Sequence, residues 1–182
     1  VLFTAHTLYR IGSEGMELKN EVTNNSGLET IARVGQSFRL PAAFDTLTWY
    51  GKGPWETYAD RKDAALIGLY TSSVAEQHVP FAVPCECGGH EDTRFAALSD
   101  GTHTVQIVGS DDFHFSALPY SIAEYRKATY EEELPEQTTG TWLILDVAHA
   151  GLGGDTGWTK NIHPEYRVCK GRYSYTFRFH FA

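Results

Sequence analysis

Two carboxylates and an arginine lie close together in residues 49–61, which read WYGKGPWETYADR. Glu56 and Asp60 could act as a general acid and base, the roles that paired carboxylates take in glycoside hydrolysis. Alternatively, Arg61 neutralises one or both acids and pins a loop. We favour the second interpretation, because ion-paired loops are far commoner than catalytic dyads.

A glycine-rich segment, residues 151–158 with the sequence GLGGDTGW, ends on a tryptophan. Such a loop has little bulk with which to bury Trp158, and an exposed indole offers a flat apolar surface and one N–H donor to the face of a sugar ring. The indole could equally fold back as a core plug under the loop. The residues alone leave both readings open.

A third cluster, Cys85, Cys87 and His90, carries donor atoms that suit zinc. A fourth ligand is not evident, and the paired ligand knuckles of structural zinc sites are missing, so a plain loop is the favoured interpretation. No serine lies in a Gly-x-Ser-x-Gly pattern, which leaves serine hydrolase chemistry unsupported.

The elements that position these groups are predicted to be strands. Residues 16–23 alternate apolar with polar side chains, and residues 173–181 alternate aromatic with polar ones. A strand over residues 31–40 places four apolar side chains on one face: Ala32, Val34, Phe38 and Leu40. Further strands are predicted over residues 104–108, 113–118 and 141–148, and a turn over residues 51–54.

One short helix is predicted. Ser121 and Glu124 have the spacing of a capping box, and reasonable helix formers continue to residue 133, before Pro135. With strands and turns elsewhere, the chain is predicted to be a single all-β domain, a large antiparallel sandwich over residues 1–182.

The charge and the composition of the chain limit the classes of molecule that we expect it to bind. The net charge is −8 and basic residues form no cluster, so nucleic acid and anionic membranes are excluded as expected partners. No apolar run is long enough to span a bilayer. Three cysteines, an odd number, do not form a secreted disulfide framework, which favours the cytoplasm and leaves the periplasm open.

Three ordered motifs together resemble the small-chain domain of family 2 β-galactosidases, from about Ala5 to the C-terminus. Residues 49–61 resemble its signature Gly-Pro-x-Glu-x-Tyr-x-Asp-Arg, and residues 79–94 its Pro-flanked strand followed by glycine and Thr-Arg. Residues 151–158 resemble its Gly-x-Gly-Gly-Asp-x-x-Trp loop. The first motif matches at six positions, which we interpret as a structural motif: Gly53, Pro54, Glu56, Tyr58, Asp60 and Arg61.

The resemblance implies a supersandwich of antiparallel strands, similar to the galactose mutarotase-like fold. It also implies a C-terminal domain of an enzyme that hydrolyses terminal β-D-galactosides such as lactose with retention, using two glutamates on a barrel that this chain lacks. The chain alone is then inactive and has no catalytic residue. Trp158 would line the galactoside site with Asp155 supporting its loop, although Gly157 departs from the polar residue common there.

The expected partners are the rest of the β-galactosidase polypeptide or its large subunit, and a galactoside, in a homo-oligomeric parent enzyme. No cofactor or metal is expected here, because the magnesium and sodium sites of related enzymes lie in the barrel. The family's domain is expected to begin before Val1. Two other functions stay open: an aldose-epimerase-like enzyme using His90 and Glu91, and a carbohydrate-binding module using Trp55 and Trp158.

Overall fold

The computed structural model describes residues 1–136, 138–154, 156, 161–169 and 171–182. These residues form nine strands: β1 Phe3–Gly12, β2 Gly15–Asn24, β3 Arg33–Leu40, β4 Thr46–Gly53, β5 Leu66–Ser73, β6 Gly89–Ser99, β7 Thr104–Leu118, β8 Thr141–His149 and β9 Arg172–Phe181. They also form the helix α1, Ile122–Lys127, and three 3-10 turns: Ala75–Gln77, Glu131–Glu133 and Pro164–Tyr166.

All strand pairs are antiparallel, and the main path runs β1-β2-β9-β7-β6-β4-β5. The long strand β7 divides the sheet, since residues 105–109 pair with β9 while residues 114–118 pair with β8, which in turn pairs with β3. The ring of Phe38 on β3 packs edge-on against Phe179 on β9, 5.0 Å between centroids. The predicted all-β antiparallel class is confirmed.

The core lies where the alternating faces of β9 and its neighbours meet. Tyr173, Tyr175, Phe177 and Phe179 are buried, as the alternation predicts. Phe181, at the end of the strand, is exposed. Burying one such aromatic ring contributes about 1.5–3 kcal/mol, so this strand anchors the fold.

The observed helix α1 begins where the sequence predicts and ends earlier than the predicted helix. Ser121 Oγ accepts the N–H of Glu124 at 3.1 Å, and the Glu124 carboxylate accepts the N–H of Ser121 at 2.6 Å, so the capping box is confirmed. The continuation to residue 133 is wrong, because the backbone turns extended at Ala128. Three adjacent glutamates, residues 131–133, would face the negative end of a longer helix, which disfavours it. No helix in the described ranges is long and apolar enough to cross a membrane.

Four local predictions are wrong in detail. The segment 79–84 contains no strand, because Pro80 and Pro84 lack the N–H groups that pair strands. Strand β4 continues through Gly53 where a turn was predicted. Residues 104–118 form one strand and not two. Ala32 is exposed, because β3 begins after it and its register shifts between Val34 and Gly35.

Candidate functional site

The carboxylate of Asp60 lies against the start of the glycine-rich segment. Its Oδ1 accepts the N–H of Leu152 at 3.0 Å, and its Oδ2 accepts the N–H groups of Gly153 at 2.6 Å and Gly154 at 3.1 Å. Three successive backbone N–H groups that converge on one anion form a concave nest. Each bond to a charged acceptor contributes about 1.5–3 kcal/mol, so Asp60 fixes the backbone of this segment.

The glycines of the segment are explained by this close approach. A Cβ on Gly151 would lie 2.6 Å from Cγ of Asp60 and 3.0 Å from Cβ of Tyr166. Gly153 has φ of +78°, in the left-handed region that favours glycine. The sequence suggested that glycine was there to leave an indole unburied, whereas the structure gives a second reason, which is access of the backbone to a carboxylate.

Trp158, Asp155 and Gly157 lie outside the residues that the structure describes. The described contacts nearest to them along the chain are the bond from the Gly154 N–H to Asp60 and the bond from the Thr156 N–H to the Gly153 carbonyl oxygen, 3.2 Å. Their roles therefore stay predictions.

Glu56 and Arg61 form an ion pair within the same motif. The other oxygen of Glu56 accepts the N–H of Gly88 at 2.8 Å, and the Arg61 guanidinium lies 5.6 Å from the centre of the Tyr58 ring. Both oxygens of Glu56, like both of Asp60, are held by donors. The pair therefore joins the turn that follows β4 to the start of β6.

Tyr58 lies in the interior, fully shielded from solvent. Its hydroxyl oxygen accepts the N–H of Gly89 at 3.2 Å, and burial raises the pKa of Tyr58 well above its ordinary value. Its ring lies 5.5 Å from that of His114 and 5.3 Å from that of His149. The two other motif positions, Gly53 and Pro54, are joined by a cis peptide bond.

Close to Tyr58 lies a partly buried ionic cluster that the sequence did not reveal. Arg33 lies 2.6 Å from Glu86 and 3.7 Å from Asp146, whose Oδ2 is 3.3 Å from Nδ1 of His114. Burial acts to raise the pKa of Glu86, but the contacts with His149 and Arg33 outweigh it and lower that pKa to about 2. The members come from separate segments, so no short motif signals them.

The cluster contains a group that resembles a metal site. His114, Asp146 and His149 bring potential ligand atoms within 4.8 Å of one another. The positive charge that a metal ion would bring to this group is already supplied by Arg33. Its Nη2 lies 2.7 Å from Nε2 of His149.

The remaining ligand atoms of this group face glycine backbone. A Cβ on Gly89 would lie 2.3 Å from Nε2 of His114, and one on Gly35 would lie 2.1 Å from Oδ1 of Asp146. These two atoms lie close to glycine backbone and have no hydrogen-bond partner among the described residues. Because the Arg33 guanidinium already lies at hydrogen-bonding distance from His149, a metal ion here would meet a resident cation, which argues against a metal site.

The structure does not bring Cys85, Cys87 and His90 to one point. His90 is fully buried, with Nε2 2.6 Å from Oε1 of Gln77 and Nδ1 3.2 Å from the Lys52 carbonyl oxygen. Burial lowers the pKa of His90 to about 3, so the ring is neutral. A neutral ring carries one N–H, so only one of these two nitrogens donates a hydrogen bond. Both nitrogens are enclosed in the core, away from solvent, which argues against zinc binding and against a proton-transfer role in epimerisation.

Two clefts flank the Asp60 contact. The larger, about 480 Å³, has Trp55, Asp63 and Tyr166 in its lining, and the Trp55 side chain is 63% exposed. The smaller, about 220 Å³, has Phe81 and Leu152 among its lining residues. Aromatic side chains beside polar groups in a concave surface suit a sugar ring.

Comparison with known proteins identifies the family. The family model described as β-galactosidase small chain matches residues 1–179. The chain belongs to this family. A β-galactosidase of Priestia megaterium is 35% identical over 96% of the chain, and one of Vibrio cholerae is 38% identical over 90% of it. β-Galactosidase BgaC of Bifidobacterium adolescentis is 34% identical over 86% of the chain.

The small-chain domain is a minor part of each of these relatives. It spans 16%, 15% and 15% of their respective lengths, so it is a domain of a larger polypeptide in each of them. A solved structure from Escherichia coli K12, provisionally described as an aldose 1-epimerase, aligns with 99% of this chain and 60% of its own. That alignment has a TM-score of 0.48 and 7% identity.

Proposed function

We propose that this chain is the C-terminal domain of a β-galactosidase and completes its active site without supplying the catalytic glutamates. The reaction is the hydrolysis of terminal β-D-galactosides such as lactose, with retention of configuration. The observation that carries the proposal is the Asp60 contact, which fixes the segment that leads to Trp158 in a small-chain domain.

The non-catalytic role is supported by the carboxylates of the first motif. A retaining glycosidase needs one carboxylate free to attack the sugar and one carboxyl group to protonate the leaving oxygen. Glu56 is held by Arg61 and the Gly88 N–H, and Asp60 by three backbone N–H groups. Using either acid as a catalyst would break contacts that hold the loops together.

In this proposal Trp158 is a substrate platform and Asp155 supports its loop. The apolar face of the indole stacks on the galactoside ring, and its N–H offers one hydrogen bond. The partners are the rest of the polypeptide or a separate large subunit, in a homo-oligomeric enzyme. Magnesium and sodium ions belong to the barrel of that enzyme.

The test of the completing role is hydrolysis of a chromogenic β-galactoside by this chain, by the N-terminal remainder of its parent enzyme, and by the two mixed. We expect activity only in the mixture. Activity of the chain alone would show that it contains its own catalytic residues and would overturn the proposal. An inactive mixture whose two parts form a complex would overturn it as well.

The platform role is tested in the intact parent enzyme with Trp158→Ala and the conservative Trp158→Phe. We expect Trp158→Ala to raise KM for a galactoside by about tenfold or more, the equivalent of one lost stacking contact, and Trp158→Phe to restore part of it. Unchanged kinetics in Trp158→Ala would remove the platform role.

A second candidate function, a carbohydrate-binding module, is favoured by the exposed Trp55 in the larger cleft. It predicts measurable affinity of the chain alone for lactose or galactose, abolished by Trp55→Ala. Calorimetric titration distinguishes the two candidates, because the completing domain needs the rest of the enzyme to bind sugar.

A further inference from the structure

We infer that Asp60 is a positioning residue for the galactoside site, acting through the backbone of residues 152–154 on Trp158. This inference rests on the proposed function, because it gives Asp60 a role in substrate binding only if Trp158 contacts the substrate. The motif match alone assigns Asp60 no such role.

The contacts of Asp60 are directed at one segment. Its carboxylate hydrogen bonds go to three successive residues, Leu152, Gly153 and Gly154. Only three residues lie between Gly154 and Trp158 in the sequence, so the fixed backbone ends close to the tryptophan along the chain. Fixing the near end of a short loop limits the positions that its far end can reach, which lowers the entropy lost when a sugar binds.

The segment is adapted to this contact on both sides. Gly151 leaves the space that the Asp60 carboxylate occupies, since a Cβ there would lie 2.6 Å from Oδ2. Gly153 takes the positive φ that lets neighbouring N–H groups point to one side. The Asp60 side chain and these glycines therefore act together to fix the backbone of residues 152–154.

Glu56 provides a matched control within the same motif. It also accepts a backbone N–H, but that of Gly88 at 2.8 Å and none from residues 152–154. A carboxylate that only holds the domain together would behave as Glu56 does. A carboxylate that positions the segment would change substrate binding.

The experiment compares four variants of the intact parent enzyme: Asp60→Asn, Trp158→Ala, the double variant and Glu56→Gln. An amide keeps the shape of Asp60 but has one oxygen, so it loses at least one of the three acceptor bonds. We expect Asp60→Asn to raise KM for a galactoside by about three- to tenfold with a smaller change in kcat, and Glu56→Gln to leave KM within about twofold.

The decisive measurement is the coupling between the two sites. If Asp60 acts through Trp158, then Asp60→Asn produces no further change in KM when Trp158 is already alanine. Multiplying effects in the double variant would overturn the inference, and so would an unchanged KM in Asp60→Asn beside a raised KM in Trp158→Ala. An unchanged KM in Trp158→Ala alone identifies failure of the proposed function, on which the inference rests.

A second variant covers the case in which Asp60→Asn fails to fold. Gly151→Ala keeps the carboxylate but pushes it away from the segment, and it should raise KM in the same direction and show the same coupling to Trp158→Ala. Normal KM in a folded Gly151→Ala enzyme would count against the inference.

Discussion

Oδ2 of Asp60 accepts the N–H of Gly153 at 2.6 Å, joining two residues that are 93 positions apart in the chain. This contact connects the first and third motifs of the small-chain family directly. The conformation of the glycine-rich segment therefore depends on a side chain from the turn that follows β4.

Gly151→Ala should lower the free energy of unfolding by about 1–3 kcal/mol, because the new methyl group would overlap the Asp60 carboxylate and crowd Tyr166. Urea denaturation of the chain measures this. The matched control is Gly12→Ala, where an added Cβ has no atom within 4 Å and the change should stay within about 0.5 kcal/mol. Equal midpoints for the two variants would contradict the packing described for Gly151.

Arg33→Ala should destabilise the chain by about 3–5 kcal/mol, because it leaves the charge of Asp146, which is fully buried, without its cation. Arg10→Ala is the control, since Arg10 pairs with Glu17 at the surface with 71% of its side chain exposed, and exposed pairs contribute about 0–1 kcal/mol. Both are measured by urea denaturation at neutral pH. A loss below about 1 kcal/mol for Arg33→Ala would mean that the cluster is well hydrated.

The stability of the chain should fall as the pH drops below 6.5, partly because of His90. Its pKa is about 3 in the folded chain against an ordinary value of 6.5, so the unfolded chain takes up a proton first. The stabilisation is complete above pH 6.5 and is lost as the pH falls towards 3. His90→Gln should reduce the slope of unfolding free energy between pH 6 and 5 by up to about 1.4 kcal/mol per pH unit. Parallel slopes would show that His90 titrates normally.

Native thiol labelling at pH 8 should modify two of the three cysteines. Cys85 and Cys169 are exposed, whereas Cys87 is fully buried and burial raises its pKa to about 11. The third thiol should react only in denaturant, and Cys87→Ser should leave the native count at two. A native count of one, with Cys85 protected, would instead support zinc binding by the Cys85 and Cys87 thiols.

The sequence predicted the elements whose pattern is local. The alternation in residues 173–181 indicated β9 and its buried face, and the Ser121 and Glu124 spacing indicated the start of α1. It did not indicate β1, whose residues are all exposed, or the edge strand β5, where Leu66 and Ile67 break the alternation. A strand that buries neither face leaves no period-2 signal.

The family could also be identified from sequence, because three motifs in order are far more specific than one. The tertiary structure decided which residues of those motifs meet. Asp60 could have paired with Arg61, yet Arg61 takes Glu56 and Asp60 takes the segment at residues 152–154. Likewise, Arg33 and Asp146 lie far apart in sequence and are brought together when β3 and β8 pair, and Glu86 joins them from the loop that precedes β6. Periodicity and spacing describe neighbours along the chain, whereas these contacts are made between distant segments, so only the folded chain specifies them.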